Sequence, residues 1–224
     1  MKKITLTLAA AATLMFAACN NSSYTAETGE AKQEAVAAGK EYTADVAASF
    51  VGWKCAHKGG FAPRYGILKL TEGSVSVENG AITGGRFTVD INSLHVDSAS
   101  VTEKGKKATD LEGHLKSPDF FDAAKYPTAK FVVTAVKPFD AATDKSELPG
   151  TTSVVSGNLT IKDSTVNVTF PAVVTVSDAG VGVKAKFSVE RTAWGLKYGT
   201  EGDPKDWGIS NNIELTIDFK AVPK

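Results

Sequence analysis

A chain of 224 residues with 42% hydrophobic side chains can bury one sizeable core, and this composition excludes collagen, coiled coil and global disorder. Lys plus Arg and Asp plus Glu both number 25, so no overall field draws the chain onto nucleic acid or an anionic surface. With two cysteines, one of them at residue 19, no disulfide framework staples the fold.

Residues 1–18 read as a signal peptide: MKK, the apolar run ITLTLAAAATLMF, then small residues before Cys19. The run is too short to span a bilayer. A cysteine directly after small residues resembles the bacterial lipobox, with Phe16 where such motifs more often carry Leu. That resemblance implies diacylation of Cys19 and a membrane anchor through it. The alternative is ordinary secretion with Cys19 incidental. Residues 19–40 are polar and small and read as a lipidated flexible tether, in which AKQEAVAAGK forms at most a transient helix. CNNSS holds no acidic cluster of the kind associated with surface export, which favours a periplasm-facing place in the bacterial cell envelope.

From 41 to 224 the pattern alternates apolar and polar residues between Gly and Asn turn signals, strand after strand. SFVGWKCAH puts Val51, Trp53, Cys55 and His57 on one face, and ENGA over 78–81 suits a type I′ hairpin. About eight strands follow Tyr42, each apolar on one face only, as in a closed antiparallel barrel or a two-sheet sandwich. Their alternation predicts one interior lined by Trp53, Leu68, Phe87, Val89, Ile91, Phe131, Leu159, Ile161, Val168, Phe187, Leu215 and Ile217. A one-residue register slip would exchange the faces. The exception to the strands is a short helical insertion near residues 109–122: TDLEGHLK carries Leu111 and Leu115 one turn apart, and Ser117-Pro118 stops it.

Chemistry-bearing groups are sparse. His57, His95 and His114 lie in separate segments without metal-ligand spacing, so no metal site is expected. His114 with Asp110 and Ser117 lacks a G-x-S-x-G elbow, and a capping or solvent-facing role is the commoner one. Gly59-Gly60 and Gly84-Gly85 read as turns or bulges. Cys55 reads as a small buried hydrophobe, and Arg191 as a strand-end arginine paired with a carboxylate, the alternative being a headgroup phosphate.

GHLKSPDFFDAAKYPTAKF, VSGNLTIKDSTVNVTFP and FSVERTAWGLKYG, in that order, together with SVSVENGAITGGRFTVDINSL, resemble the recognisable segments of the YceI-like family over about Glu41 to Phe219. HKGGFAPRYG and KDSTV differ from the family's usual turns. The resemblance implies an all-β, eight-stranded antiparallel lipocalin-like barrel whose apolar interior binds a polyisoprenoid or isoprenoid quinone, a binding protein with no catalytic residue and no cofactor beyond the bound lipid. Within it, Leu115, Phe120 and Phe121 join the lining from the insertion; equally, one phenylalanine plugs the core while the other covers the outside. An isoprenoid enzyme and a structural lipoprotein with a solid barrel remain alternatives, and monomer and homodimer both stay open.

Overall fold

The computed structural model describes residues 24–200 and 208–224, so residues 1–18 and Cys19 lie outside the described residues. After the short β1 (Glu27–Gly29) the strands are β2 (Lys40–Ala44), β3 (Phe50–Cys55), β4 (Arg64–Glu78), β5 (Ala81–Val96), β6 (Thr128–Pro138), β7 (Ser153–Ile161), β8 (Ser164–Ser177), β9 (Gly180–Glu190) and β10 (Asn212–Pro223). From β3 to β10 each strand pairs antiparallel with the next, and β10 returns to β3, where Leu215 faces Trp53. The eight-stranded barrel is therefore closed, and closure removes the exposed sheet edges. Strand β2 holds the same wall position as β3, one stage further along: it too pairs with β4 and β10. Between them the Asp45 carboxylate accepts the N–H groups of Ala47 and Ala48 and bends the chain.

The β4–β5 hairpin turns at Asn79 and Gly80, whose φ values of 51° and 77° are the left-handed pair that a type I′ turn requires. Strands β4 and β5 then shift register at three places. At one of them, between Ser76/Gly84 and Val77/Ile82, Thr83 is the extra residue of a bulge that exchanges inward and outward positions along β5. Gly84 has no side chain, and a Cβ there would lie about 3.1 Å from Ala37.

That contact belongs to the main departure from expectation. Residues 24–40 do not hang free as a tether; they are bonded to the wall. Strands β8 and β9 pair only over Ala172–Ser177 and Gly180–Ala185 and splay apart beyond, and residues 24–29 fill the gap. Strand β1 runs antiparallel to β8 at Asn167–Thr169, while Ala26 N–H donates to the Ser188 carbonyl of β9 at 2.8 Å. The chain then crosses the outside of the barrel. Lys32 N–H donates to Asn158 Oδ1, Ala35 N–H to the Val133 carbonyl, and Ala38 N–H to Thr83 Oγ1.

Helix α1 (Ala108–Lys116) fills the expected place. Ser117 ends it, with extended backbone before Pro118. Its carboxylate Glu112 accepts the Val96 N–H at 2.8 Å and sits 2.8 Å from His95 Nδ1, which fastens the helix to the end of β5. Leu111, Leu115 and Phe121 pack with Leu68, Ile91, Leu94 and Val96 over one end of the barrel. The opposite end is closed by Tyr42, Val75, Val77, Ile82, Val181 and Ala221, and a third cluster beside β1 contains Phe170, Phe187 and Trp194. Among the described residues no helix is long and apolar enough to cross a membrane.

Candidate functional site

The inward faces of the strands enclose a cavity of about 560 Å³, so the barrel is not solid. All twelve strand positions expected on one interior line it: Trp53, Leu68, Phe87, Val89, Ile91, Phe131, Leu159, Ile161, Val168, Phe187, Leu215 and Ile217. Leu115, Phe120 and Phe121 line it from the helical insertion. The two phenylalanines divide the work. Phe120 is only 8% exposed, and its ring lies 5.1 Å from His114 and 4.9 Å from Tyr198, so it ties the insertion to the turn after β9. Phe121 packs into the mouth cluster instead.

Sequence periodicity misses other lining residues. Val75 and Ile82 line the cavity because the β4–β5 register shifts reverse parity, and alternation counted from Leu68 or from Phe87 without a shift puts them on the wrong face. Leu70, by contrast, lies two residues from Leu68 and shares its face. Phe170 shares the face of Val168, two residues before it in β8, and Trp194 lies in a 3₁₀ turn, Arg191–Trp194, where strand parity does not apply. Trp194 is nevertheless 1% exposed, and its indole N–H donates to the Leu159 carbonyl at 2.8 Å.

Polar lining is confined to the mouth, where Cys55, His57, Arg64, His114, Arg191 and Tyr198 meet. Arg191 is 2% exposed, and its guanidinium donates to the carbonyls of Ser210, Leu196 and Ile209. Those bonds hold the turn after β9 against the start of β10, which is structural work done through carbonyls as well as through charge. Burial pushes the Cys55 thiol up from its ordinary pKa, partly offset by the Arg191 charge. Arg64 donates to the Ser100 carbonyl and pairs with Glu103, whose carboxyl it holds below the usual range. His114 Nε2 lies 3.0 Å from Asp119. Among the described residues no group of three or more His, Cys, Asp or Glu gathers as metal ligands would.

With few polar atoms beyond its mouth, the cavity suits a ligand that is apolar along most of its length and polar at one end. A model of the YceI-like domain matches residues 42–221, the whole barrel from β2 to β10. The chain belongs to the YceI-like domain family. Similar curated proteins include a UPF0312 protein of Pseudomonas putida strain F1, 30% identical over 78% of this chain and 81% of its own. Another, from Pseudomonas savastanoi pv. phaseolicola, is 31% identical over 79% of this chain and 82% of its own. Among solved structures, Burkholderia cenocepacia BcnA matches with a TM-score of 0.57 at 21% identity, over 80% of this YceI-like chain and 99% of that one. A polyisoprenoid binding domain from Saccharophagus degradans matches with a TM-score of 0.54 at 17% identity, over 82% and 98%. Both likenesses bear on the fold.

Proposed function

We propose that this YceI-like protein is a membrane-tethered binding and carrier protein for a long-chain apolar lipid, a polyisoprenoid or isoprenoid quinone, held inside the barrel. The observation that carries this reading is the cavity of about 560 Å³ whose wall is apolar everywhere except at its mouth. A hydrocarbon chain cannot satisfy buried donors or acceptors, so it fits a wall that presents few of them. The likeness to a polyisoprenoid binding domain supports the same ligand class. Binding rather than catalysis fits the mouth, where the Arg191 guanidinium is bonded to three carbonyls and the Cys55 thiol is held protonated by burial. In this reading Cys19 carries the lipid anchor, and the protein faces the periplasm from the bacterial cell envelope.

Organic extraction of the purified protein followed by mass spectrometry tests the ligand. A retained isoprenoid at near one per chain is the expected result, and an empty or phospholipid-filled barrel would overturn it. Metabolic labelling with an alkynyl fatty acid tests the anchor: the label should be lost in Cys19→Ser.

A further inference from the structure

Five phenylalanines cross the barrel between its mouth and its closed end. Phe219 of β10 meets Phe87 of β5 edge to face, with centroids 4.8 Å apart, although these two strands are not neighbours in the wall. Phe87 lies opposite Phe131 of β6, with centroids at 6.2 Å. Phe131 reaches over β7 to Phe170 of β8 at 5.9 Å, and Phe170 stacks on Phe187 of β9 at 4.1 Å and an interplanar angle of 10°. Strand β7 contributes no side chain at this level. Its inward position is Gly157, and a Cβ there would fall within the van der Waals envelope of the outer edge of the Phe131 ring. Phe131 therefore lies folded against the wall only because residue 157 is glycine. The cavity continues past the rings, where Val75, Ile82, Val136 and Val183 line it.

We propose that this phenylalanine diaphragm is the chain-length determinant of the cavity, with Phe131 resting on Gly157 as its movable leaf. The inference rests on the carrier reading above. An apolar chain entering at the mouth gains affinity with each isoprene unit that leaves water, until its tip meets the rings. Beyond that length a further unit stays in solvent or pushes rings aside, and affinity levels off. The position of the leaf then sets the length at which the plateau begins.

Two substitutions move the leaf in opposite directions. Phe131→Ala opens the diaphragm, and Gly157→Ala drives the Phe131 ring into the lumen. The experiment titrates wild type and both variants with polyprenyl alcohols differing by one isoprene unit, using quenching of Trp53 and Trp194, which line the same cavity. Thermal melts confirm folding, and Phe131→Leu serves in place of Phe131→Ala if the larger truncation does not fold. Wild type should gain roughly tenfold or more in affinity per unit up to a plateau. The plateau should move to longer chains in the Phe131 variants and to shorter ones in Gly157→Ala. Plateaus that stay in place, or move in the same direction, would overturn the diaphragm while leaving the carrier reading intact. Failure of wild type to bind any member of the series would overturn both.

Discussion

Ser188 of β9 donates its backbone N–H to the carbonyl of Tyr24 at 2.7 Å, which joins residues ahead of the barrel to the barrel wall. With the return bond from Ala26 and the pairing of β1 to β8, the segment acts as an extra stave where β8 and β9 part. Ala26 is 5% exposed within the same cluster as Phe170 and Phe187. An amide placed there has no partner, so Ala26→Asn should cost about 1–3 kcal/mol. Val36, on the same crossing segment but 81% exposed, should tolerate Asn within about 0.5 kcal/mol. Urea unfolding of the two variants measures the difference, and equal stabilities would mean that the stave is not part of the folded core.

The same stave marks the limit of what the residues alone reveal. Strand number and the lining set from Trp53 to Ile217 are legible because each depends on a period of two that burial of one face enforces, and the Asn79-Gly80 hairpin because that pair tolerates positive φ. Alternation alone allows a sandwich as well, and closure follows only from the resemblance to the YceI-like family. Residues 24–40 lack that signal. They are held by bonds from their backbone groups to the wall, by the small buried side chain of Ala26 and by Tyr24 packed against the same cluster, and none of these leaves a periodic trace. Val75 and Ile82 are hidden for a different reason, since the β4–β5 register shifts break the count within a strand. Arg191 is legible as an arginine but not as a donor to three carbonyls, because its partners at Leu196, Ile209 and Ser210 are backbone atoms brought close by the turn.

Helix α1 should loosen in acid. The Val96 N–H bond, followed by the neighbouring His95, holds the Glu112 carboxyl below its ordinary pKa. A group whose folded-state pKa is depressed contributes stability above its unfolded value, near 4.3 for a model Glu, and loses it as pH falls through the lower folded value. Glu112→Gln keeps an acceptor for Val96 but no charge. The stability difference between wild type and this variant should shrink as pH falls below about 5. Denaturant unfolding at several pH values reads it directly. A difference that grows or stays constant as pH falls from about 5 toward 2 would assign the anchoring to something other than the carboxylate.

Cys55 should behave as an unreactive thiol although it lines the mouth. Burial raises its pKa more than the Arg191 charge lowers it, and the thiolate is the nucleophile. Alkylation by iodoacetamide at pH 7.5 should therefore run roughly tenfold or more below that of free cysteine. The rate should keep rising with pH beyond the range where free cysteine levels off. Alkylation as fast as the free amino acid would show that the mouth opens far more often than its packing implies.

Phe120 and Phe121, adjacent in sequence, should separate cleanly when truncated one at a time. Phe120 is nearly buried, with His114 and Tyr198 against its ring, so although it also borders the cavity it joins the helical insertion to the turn after β9. Phe120→Ala leaves a cavity at that junction and should cost about 3 kcal/mol of stability, with affinity for a long polyprenyl alcohol falling only as far as the lid is loosened. Phe121 is half-buried among Leu68, Ile91, Leu111 and Leu115, and part of its ring faces the lumen. Phe121→Ala removes surface that the ligand itself would cover, and should weaken binding roughly tenfold to a hundredfold at a smaller stability cost. Phe121→Asp should weaken it further, because a carboxylate beside a hydrocarbon chain must be desolvated without a partner. Thermal melts and tryptophan-quenching titrations on the three variants decide the matter. Equal losses of affinity in Phe120→Ala and Phe121→Ala would mean that the insertion acts as one rigid lid, and an unchanged affinity in Phe121→Ala would remove its ring from the lining.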